Sequence, residues 1–295
     1  ALGCSAEQVF WTSGATESNN WILRSFESVA VSPFEHSSVW ETAHVLGHSL
    51  LGNDGHSLLP PDGACELVSV MVVNNETGAM LALPRTSARV HRDATQALGK
   101  VPLSVEGVDF ASFSAHKLHG PKGVGGLFAA DPTLLRPLMT GGGQEHGLRA
   151  GTVNVPGVVG LGAACVLAME RREEALSHVQ RLRETVLDGL AKVPDCRINE
   201  GPANSPYILS VSLLGLHGES LVLYCDQSGF AVSSGAACAS GSTEPSHVLT
   251  SLGIPESVAR ATIRVSFSIE NTIETAQGLA RTLAEGAEEL RRLGP

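Results

Sequence analysis

Short apolar runs, punctuated by glycine, proline and small hydroxyl residues, recur through the first half of the chain. The runs at 8–12, 29–34, 67–74, 108–114 and 123–129 have the length and composition of buried strands. They alternate with helix-forming stretches, which predicts a mostly parallel sheet carrying helices. One long helical pattern follows, from about Pro156 to Val193. The second half reads as strand Ile208–Leu214, helix Glu219–Gln227, strand Phe230–Ser233, helix Ser246–Leu252, strand Thr262–Ser268 and a terminal helix. Asn271-Thr-Ile-Glu274 has the form of a capping box opening that last helix. The pattern predicts an α/β large domain over 1–160, a linking helix over 161–193 and a small α+β domain over 194–295. No internal repeat or low-complexity segment is visible.

Composition narrows the function classes. The chain has 295 residues, 43% of them apolar and 17% charged, with a net charge of −10. An acidic balance without a basic cluster argues against nucleic-acid binding. The most apolar stretch, Val153 to Met169, contains Asn154 and Pro156 and then turns amphipathic. It reads as a core helix and not a membrane span. No secretory pattern opens the sequence. Cysteines at 4, 65, 165, 196, 225 and 238 form no C-x-x-C pair, and no Cys/His spacing suggests zinc or another metal. Free thiols suit the cytoplasm, or an organelle matrix if a targeting segment was removed.

The stretch Ser112-Phe-Ser-Ala-His116-Lys117 carries the strongest chemical signal. A strand pattern runs into one lysine, and a Gly/Pro-rich turn follows. A lysine at the end of a buried strand is costly unless its amine is neutralised or used covalently. Schiff-base chemistry uses such an amine, and pyridoxal phosphate (PLP) is the commonest aldehyde held this way. The plain alternative is a surface lysine at a strand-to-turn corner. A PLP site also needs a carboxylate for the pyridine nitrogen, N–H donors for the phosphate and a flat group over the ring. Asp93 suits the first need. Val9-Phe-Trp-Thr-Ser-Gly14-Ala15-Thr16 reads as strand, turn and helix start, a phosphate cradle. His36 follows an apolar strand and precedes a helix opening at Ser37, which places it at the sheet's carboxyl edge. Taken singly, Asp93 and Thr16 also read as helix caps and His36 as a loop histidine.

The motifs TSGATESNN (12–20), EHSSV (35–39), VNNETG (73–78), HRDATQALGK (91–100), SFSAHKLHGPKGVG (112–125), GGGQEHGLRAGT (141–152), SSGAACASGSTEPSHVL (233–249) and ATIRVSF (261–267) span nearly the whole chain. In this order the chain resembles the NifS/IscS-like cysteine desulfurases, a class V aminotransferase branch of the fold-type I PLP enzymes. The resemblance implies a fold-type I large domain with a mostly parallel seven-stranded-type sheet and a small α+β domain. It implies that Lys117 carries PLP, Asp93 partners the pyridinium and His36 stacks on the ring. Gln96 and Asn75 would bond the phenolic oxygen. Ala15, Thr16, Ser114 and His116 would line the phosphate and cofactor pocket. Thr152 resembles a threonine donated by the second subunit of a homodimer. Arg264, with Asn75, would bind the substrate carboxylate, and His116 would serve as acid or base for the substrate thiol.

Cys165 and Cys225 lie in apolar helical runs and read as inert buried thiols. Cys238 sits among small polar residues, and an exposed thiol in such a loop is a liability unless it is used. In the resembled family this loop carries the nucleophile, and its E-P-S-H-V-L continuation matches the long-loop desulfurases. The implied reaction removes sulfur from L-cysteine, giving L-alanine and a Cys238 persulfide passed to an acceptor protein or thiol. In iron–sulfur cluster assembly, tRNA thiolation or DNA modification the acceptor would differ, and the sequence does not choose among them. A selenocysteine lyase of the same branch and a non-catalytic relative acting as a binding partner are the alternatives. The chain departs from the family in three ways. It starts well inside the family pattern, without the Ala-Thr-Thr-like segment. Its connections between Asn20 and Asp93 are short. Arg92 stands where an apolar residue is usual, and His146 where an arginine is.

Overall fold

The computed structural model describes residues 1–55, 57–234 and 245–293. Cys238 therefore lies outside the described residues. The chain divides into two compact units. One comprises Ala1–Asn74 and Leu81–Arg172, and the other Asn75–Met80 and the chain from Glu173 onward.

The first unit contains β1 (Val9–Thr12), α1 (Ala15–Arg24), β2 (Val29–Val31), α2 (Ser37–Leu46), β3 (Ser49–Leu50), β4 (Leu67–Ser69), β5 (Arg89–Asp93), β6 (Phe110–Ser114), β7 (Gly125–Ala129) and α3 (Val155–Glu170). Its strands form one seven-stranded sheet in the order β1-β7-β6-β5-β4-β2-β3. Four neighbouring pairs are parallel, and β7 is antiparallel to both β1 and β6. This is the mixed, mostly parallel α/β sheet that the sequence predicts. β2 and β4 are buried along their whole length, as strands covered on both faces must be. Successive side chains of a strand point to opposite faces. Phe110 accordingly joins Phe10, Trp21, Leu23 and Val31 in one core, and Phe113 joins Leu98, Val124 and Leu161 in another.

Direction in this sheet decides where chemistry gathers. β1 and β6 are both antiparallel to β7, so they run the same way, and β5, β4 and β2 run with β6. All five therefore end at one edge. Thr12 and Ser114 both face Gly125 across the ladder. A Cβ on Gly125 would lie 2.6 Å from the Cα of Gly14. Glycine at this position lets the turn after β1 lie against β7.

The second unit contains α4 (from Arg172 to Leu190), β8 (Cys196–Ile198), β9 (Ile208–Leu213), α5 (Gly218–Gln227), β10 (Ser233–Ser234), α6 (His247–Ser251), α7 (Glu256–Arg260), β11 (Thr262–Ser266) and α8 (Ile273–Leu293). An antiparallel sheet, β10-β11-β9-β8, packs Leu209, Val211, Leu213, Ile263 and Val265 with apolar residues of α4, α5 and α8. Ser210 and Ser212 alternate with those residues and pair with Arg264 and Thr262.

Several elements differ from expectation. The long helix is two helices, α3 and α4, separated at Arg171. α3 packs Leu161 and Ala164 into the first unit, whereas α4 packs Val179, Leu182 and Val186 into the second. A single straight helix has no one stripe that serves both cores. β3, β5, β8 and α7 were not predicted, and the strand expected at Phe230–Ser233 is reduced to Ser233–Ser234. The terminal helix is capped one residue later than expected. Thr272 Oγ1 accepts from Thr275 N at 3.2 Å, while Asn271 Oδ1 accepts from Ser268 N at 2.8 Å.

Two glycines give contrasting tests. Gly125→Ala drives a methyl into the Gly14 backbone and should lower unfolding free energy by about 1–3 kcal/mol. Gly162 lies on exposed α3 with open space at its Cβ. Gly162→Ala should stabilise by about 0.5–1 kcal/mol through helix propensity. Chemical denaturation of both variants checks the pair, and equal effects would contradict this packing.

Candidate active site

Four of the five strands that end at the common edge deliver predicted residues there. The chain leaves β1 into the Gly14–Ala15 turn, β2 into Phe34–His36, β5 at Asp93 and β6 into the turn of Ala115–Leu118 that carries His116 and Lys117.

Asp93 is buried, at 4% exposure. Its carboxylate accepts from Asn19 Nδ2 at 2.8 Å and from Thr95 N at 2.9 Å. Asn19 stands on α1, one turn beyond Ala15. The same amide nitrogen donates to Ser38 Oγ at 2.8 Å, and Ser38 Oγ lies 2.9 Å from His36 Nδ1. Ser38 N also donates to His36 Nδ1, at 3.1 Å. An amide N–H can only donate, so that ring nitrogen is an acceptor and the proton sits on Nε2. His36 thereby caps α2 and is held in one tautomer.

Behind Asp93 the network continues. Ser112 Oγ donates to Asn19 Oδ1. His91 Nε2 lies 3.2 Å from Ser112 Oγ, and Ser69 Oγ lies 2.8 Å from His91 Nδ1. Because the Ser112 proton goes to Asn19, His91 Nε2 must donate to Ser112 and Nδ1 must accept from Ser69. Complete burial pushes the His91 imidazole down to about 4, against the attraction of Asp93. Glu35 is also fully buried, and its Oε1 accepts from Met71 N at 2.6 Å. Burial, and then the charge of Asp93, push its carboxyl well above the ordinary range. Arg92 is half-buried, and burial brings its guanidinium down to about 10 against the pull of Glu35. It donates to Leu81 O at 2.9 Å.

The strand, turn and helix start over Val9–Thr16 form as the sequence suggests. Ala15 N, in the first turn of α1, donates to Ser114 Oγ at 2.7 Å, which joins two predicted residues directly. Thr16 is exposed beside them. Gln96 Oε1 accepts from Lys100 Nζ at 2.9 Å. Lys117 differs from expectation, because it is exposed and not buried at a strand end. β6 stops at Ser114, and the following turn carries the lysine out of the sheet. His116 is also exposed. Burial, and then the charges of Lys117, Lys122 and Lys100, push its imidazole below the ordinary value. Thr152 is exposed too, on a segment anchored by Arg149. Arg149 Nε and Nη2 reach the two Glu17 oxygens at 2.7 and 3.2 Å, a bidentate pair beside Thr16.

Asn75 and Arg264 meet in the second unit. Arg264 Nη1 donates to Asn75 O at 3.0 Å, and Nη2 to Ser233 Oγ at 3.3 Å. Among the described residues, Arg264 Nε and Asn75 Oδ1 are buried without a hydrogen-bond partner. Of the other cysteines, Cys225 is buried and its thiol is pushed up to about 11 by burial. Burial also raises the half-buried Cys165. Among the described residues no cluster of metal-ligating side chains occurs, and no helix is long and apolar enough to cross a membrane.

Sequence reasoning missed Asn19, Ser38, Ser112, His91 and Glu35. The signal was present as polar residues inside strand and helix patterns that otherwise bury apolar ones. A cavity of about 870 Å³ lined by Leu103–Asp109, Cys4 and Arg172 contains none of the predicted residues.

The buried His91 yields a pH test. Its native value lies below its unfolded value, so the unfolded chain takes up the proton first as pH falls. The stability it secures is complete above about pH 6.5 and is lost toward pH 4, amounting to about 3 kcal/mol. The stability difference between wild type and His91→Asn should shrink over that window in urea denaturation at stepped pH. A constant difference would mean that His91 does not stay neutral.

The class V aminotransferase family profile matches residues 58–279. A cysteine desulfurase IscS of Methanosarcina thermophila is 34% identical over all of this chain and 80% of its own length. A cysteine desulfurase of Trichormus azollae is 35% identical, over 100% and 81%. A solved NifS-like protein superimposes with a TM-score of 0.86 at 34% identity, covering 99% of this chain and 84% of its own. DndA from Streptomyces lividans gives a TM-score of 0.73 at 28% identity, covering 90% and 84%. The chain belongs to the class V aminotransferases, among the NifS/IscS-like cysteine desulfurases.

Proposed function

We propose that this chain binds PLP and converts L-cysteine to L-alanine, leaving the sulfur on Cys238 as a persulfide. The observation that carries the reading is Asp93, a buried carboxylate held by Asn19 at the same sheet edge as the lysine turn. The donor set fits the cofactor. Asp93 suits the pyridine nitrogen, His36 the ring face, the start of α1 the phosphate, and Gln96 and Asn75 the phenolic oxygen. Arg264 Nε and Asn75 Oδ1, buried and unpartnered, suit a polar ligand.

When bound, PLP supplies an aldehyde that captures amines and an electron sink at the substrate Cα. The residues do the rest. Lys117 would hold the cofactor through its Nζ, and the same amine is the group that would take the Cα proton. Arg264 grips the substrate carboxylate through charge-assisted hydrogen bonds. His116, biased toward its neutral form by partial desolvation and then by the charges of Lys117, Lys122 and Lys100, accepts the proton of the substrate thiol. Cys238 Sγ, as thiolate, attacks the substrate sulfur. An S–S bond forms and the Cβ–S bond breaks. The electron pair of the broken bond stays with the three-carbon product, which takes up a proton and leaves as alanine. The persulfide sulfur then passes to an acceptor protein or thiol. Thr152, exposed beside the Arg149–Glu17 anchor, suits donation to a second copy in a homodimer. The unpaired thiols suit a reducing cytoplasm.

Two measurements test the reading. Borohydride reduction of the PLP-loaded protein followed by peptide mapping should place the pyridoxyl group on Lys117, and Lys117→Ala should retain none. A label on Lys100 or Lys122 would overturn the assignment. Cys238→Ser should keep PLP and still bind cysteine, yet form no persulfide. Full alanine turnover in that variant would rule out sulfur transfer through Cys238.

A further inference from the structure

Glu76 takes no part in the chemistry described above, yet it is a buried carboxylate at 8% exposure. Its Oε2 accepts from Ser246 Oγ at 2.5 Å. Ser246 is also the N-cap of α6, accepting from Val248 N at 3.1 Å and Leu249 N at 3.3 Å. One hydroxyl proton and two acceptor positions are thus all used. Glu76 directly follows Asn75, whose carbonyl receives Arg264 Nη1. On its other side Arg264 donates to Ser233 Oγ and pairs with Ser233 across the β10–β11 ladder. In sequence, Ser233 and Ser234 lead into the segment that carries Cys238, and Pro245 and Ser246 lead out of it. Both ends of that segment are therefore tied to the carboxylate-binding pair, one through Ser233–Arg264 and the other through Ser246–Glu76–Asn75. All of these residues belong to the second unit.

We propose that Glu76 is a positioning residue for sulfur transfer. Its carboxylate fixes Ser246, which follows the Cys238-bearing segment in sequence, to the residue next to the peptide carbonyl that also fixes Arg264. Misplacement of a reacting group by about an ångström, from a change remote from the chemistry, is enough to cost a large rate factor. The proposal rests on the desulfurase reading.

Glu76→Ala removes the tether and leaves the Ser246 cap of α6 in place. Glu76→Gln keeps an acceptor oxygen for Ser246. In the PLP-loaded protein, Glu76→Ala should slow single-turnover persulfide formation on Cys238 by about tenfold or more. PLP content, melting temperature and the KM for cysteine should stay near wild type, and Glu76→Gln should restore the rate. Alkylation by iodoacetamide, mapped by peptide mass spectrometry, should change at Cys238 in Glu76→Ala and stay constant at Cys4 and Cys65. Unchanged persulfide formation and alkylation would overturn the proposal. So would parallel loss of PLP content and melting temperature with no rescue by Gln, which marks a merely structural residue. If wild type formed no persulfide, the desulfurase reading would fall, and the alkylation arm alone would decide for or against the tether.

Discussion

The hydrogen bond from Asn19 to Asp93 constrains more of this molecule than any other contact. A carboxylate at the end of a central strand loses its water on folding and needs donors fixed in place. A hydrogen bond to such a charge contributes about 1.5–3 kcal/mol, and removing the donor would forfeit more. The donor comes from α1, so α1 must lie with its first turns over the carboxyl edge of β5. That placement also puts Ala15 against Ser114 and the helix start beside the end of β6. Glycine at 125 is needed for the same reason, since the turn leading into α1 must press against β7. One buried polar contact thus links the carboxylate, the cradle and the lysine turn.

The proton arrangement around Asp93 is set by burial. An imidazolium at 91 would sit beside the carboxylate and cancel much of its charge. Burial keeps His91 neutral, and the two serines fix its tautomer. Glu35 is pushed the other way, toward its protonated form, partly by Asp93 itself. Both neighbours are therefore biased toward neutrality, and the negative charge of the pocket floor belongs to Asp93. A protonated pyridine nitrogen needs a site of that sign.

How far the sequence foretold this can be judged residue by residue. β1, β2, β4, β6, β7 and β9 were legible because each carries a run of apolar or small residues long enough to show its period. β5 was not, since Arg89-Val-His-Arg-Asp93 looks polar. Its side chains are tolerated there only because Ser69, Ser112, Asn19 and Leu81 O satisfy them, and those partners lie far away in sequence. The cradle, Asp93 and His36 were legible from motif order. Asn19 was read as part of the motif and not as the donor that holds Asp93. The exposure of Lys117 was misjudged because the lysine was read as sitting at the buried end of the 108–114 run, whereas β6 ends at Ser114 and the turn that follows carries Lys117 out of the sheet. The break at Arg171 left no glycine or proline to see. It shows only as a change from a helix apolar all round to one with a single stripe at Ala175, Val179, Leu182, Val186 and Leu190.

β9 explains how the second unit holds a half-buried guanidinium. Its sequence, Ile-Leu-Ser-Val-Ser-Leu, is buried throughout, so both faces need partners. Leu209, Val211 and Leu213 supply one face to the helices. On the other, Ser210 and Ser212 bond Asn199 Nδ2 at 3.2 and 2.8 Å, and Ser212 also bonds Thr262 at 2.7 Å. Arg264 projects from the strand paired with this polar face and adds the Asn75 carbonyl and Ser233 hydroxyl to its contacts. Three elements are thus committed to one cation, and among the described residues its Nε has no partner. A buried donor left unpaired costs about 1–3 kcal/mol. An acceptor brought within reach of Nε would remove that cost.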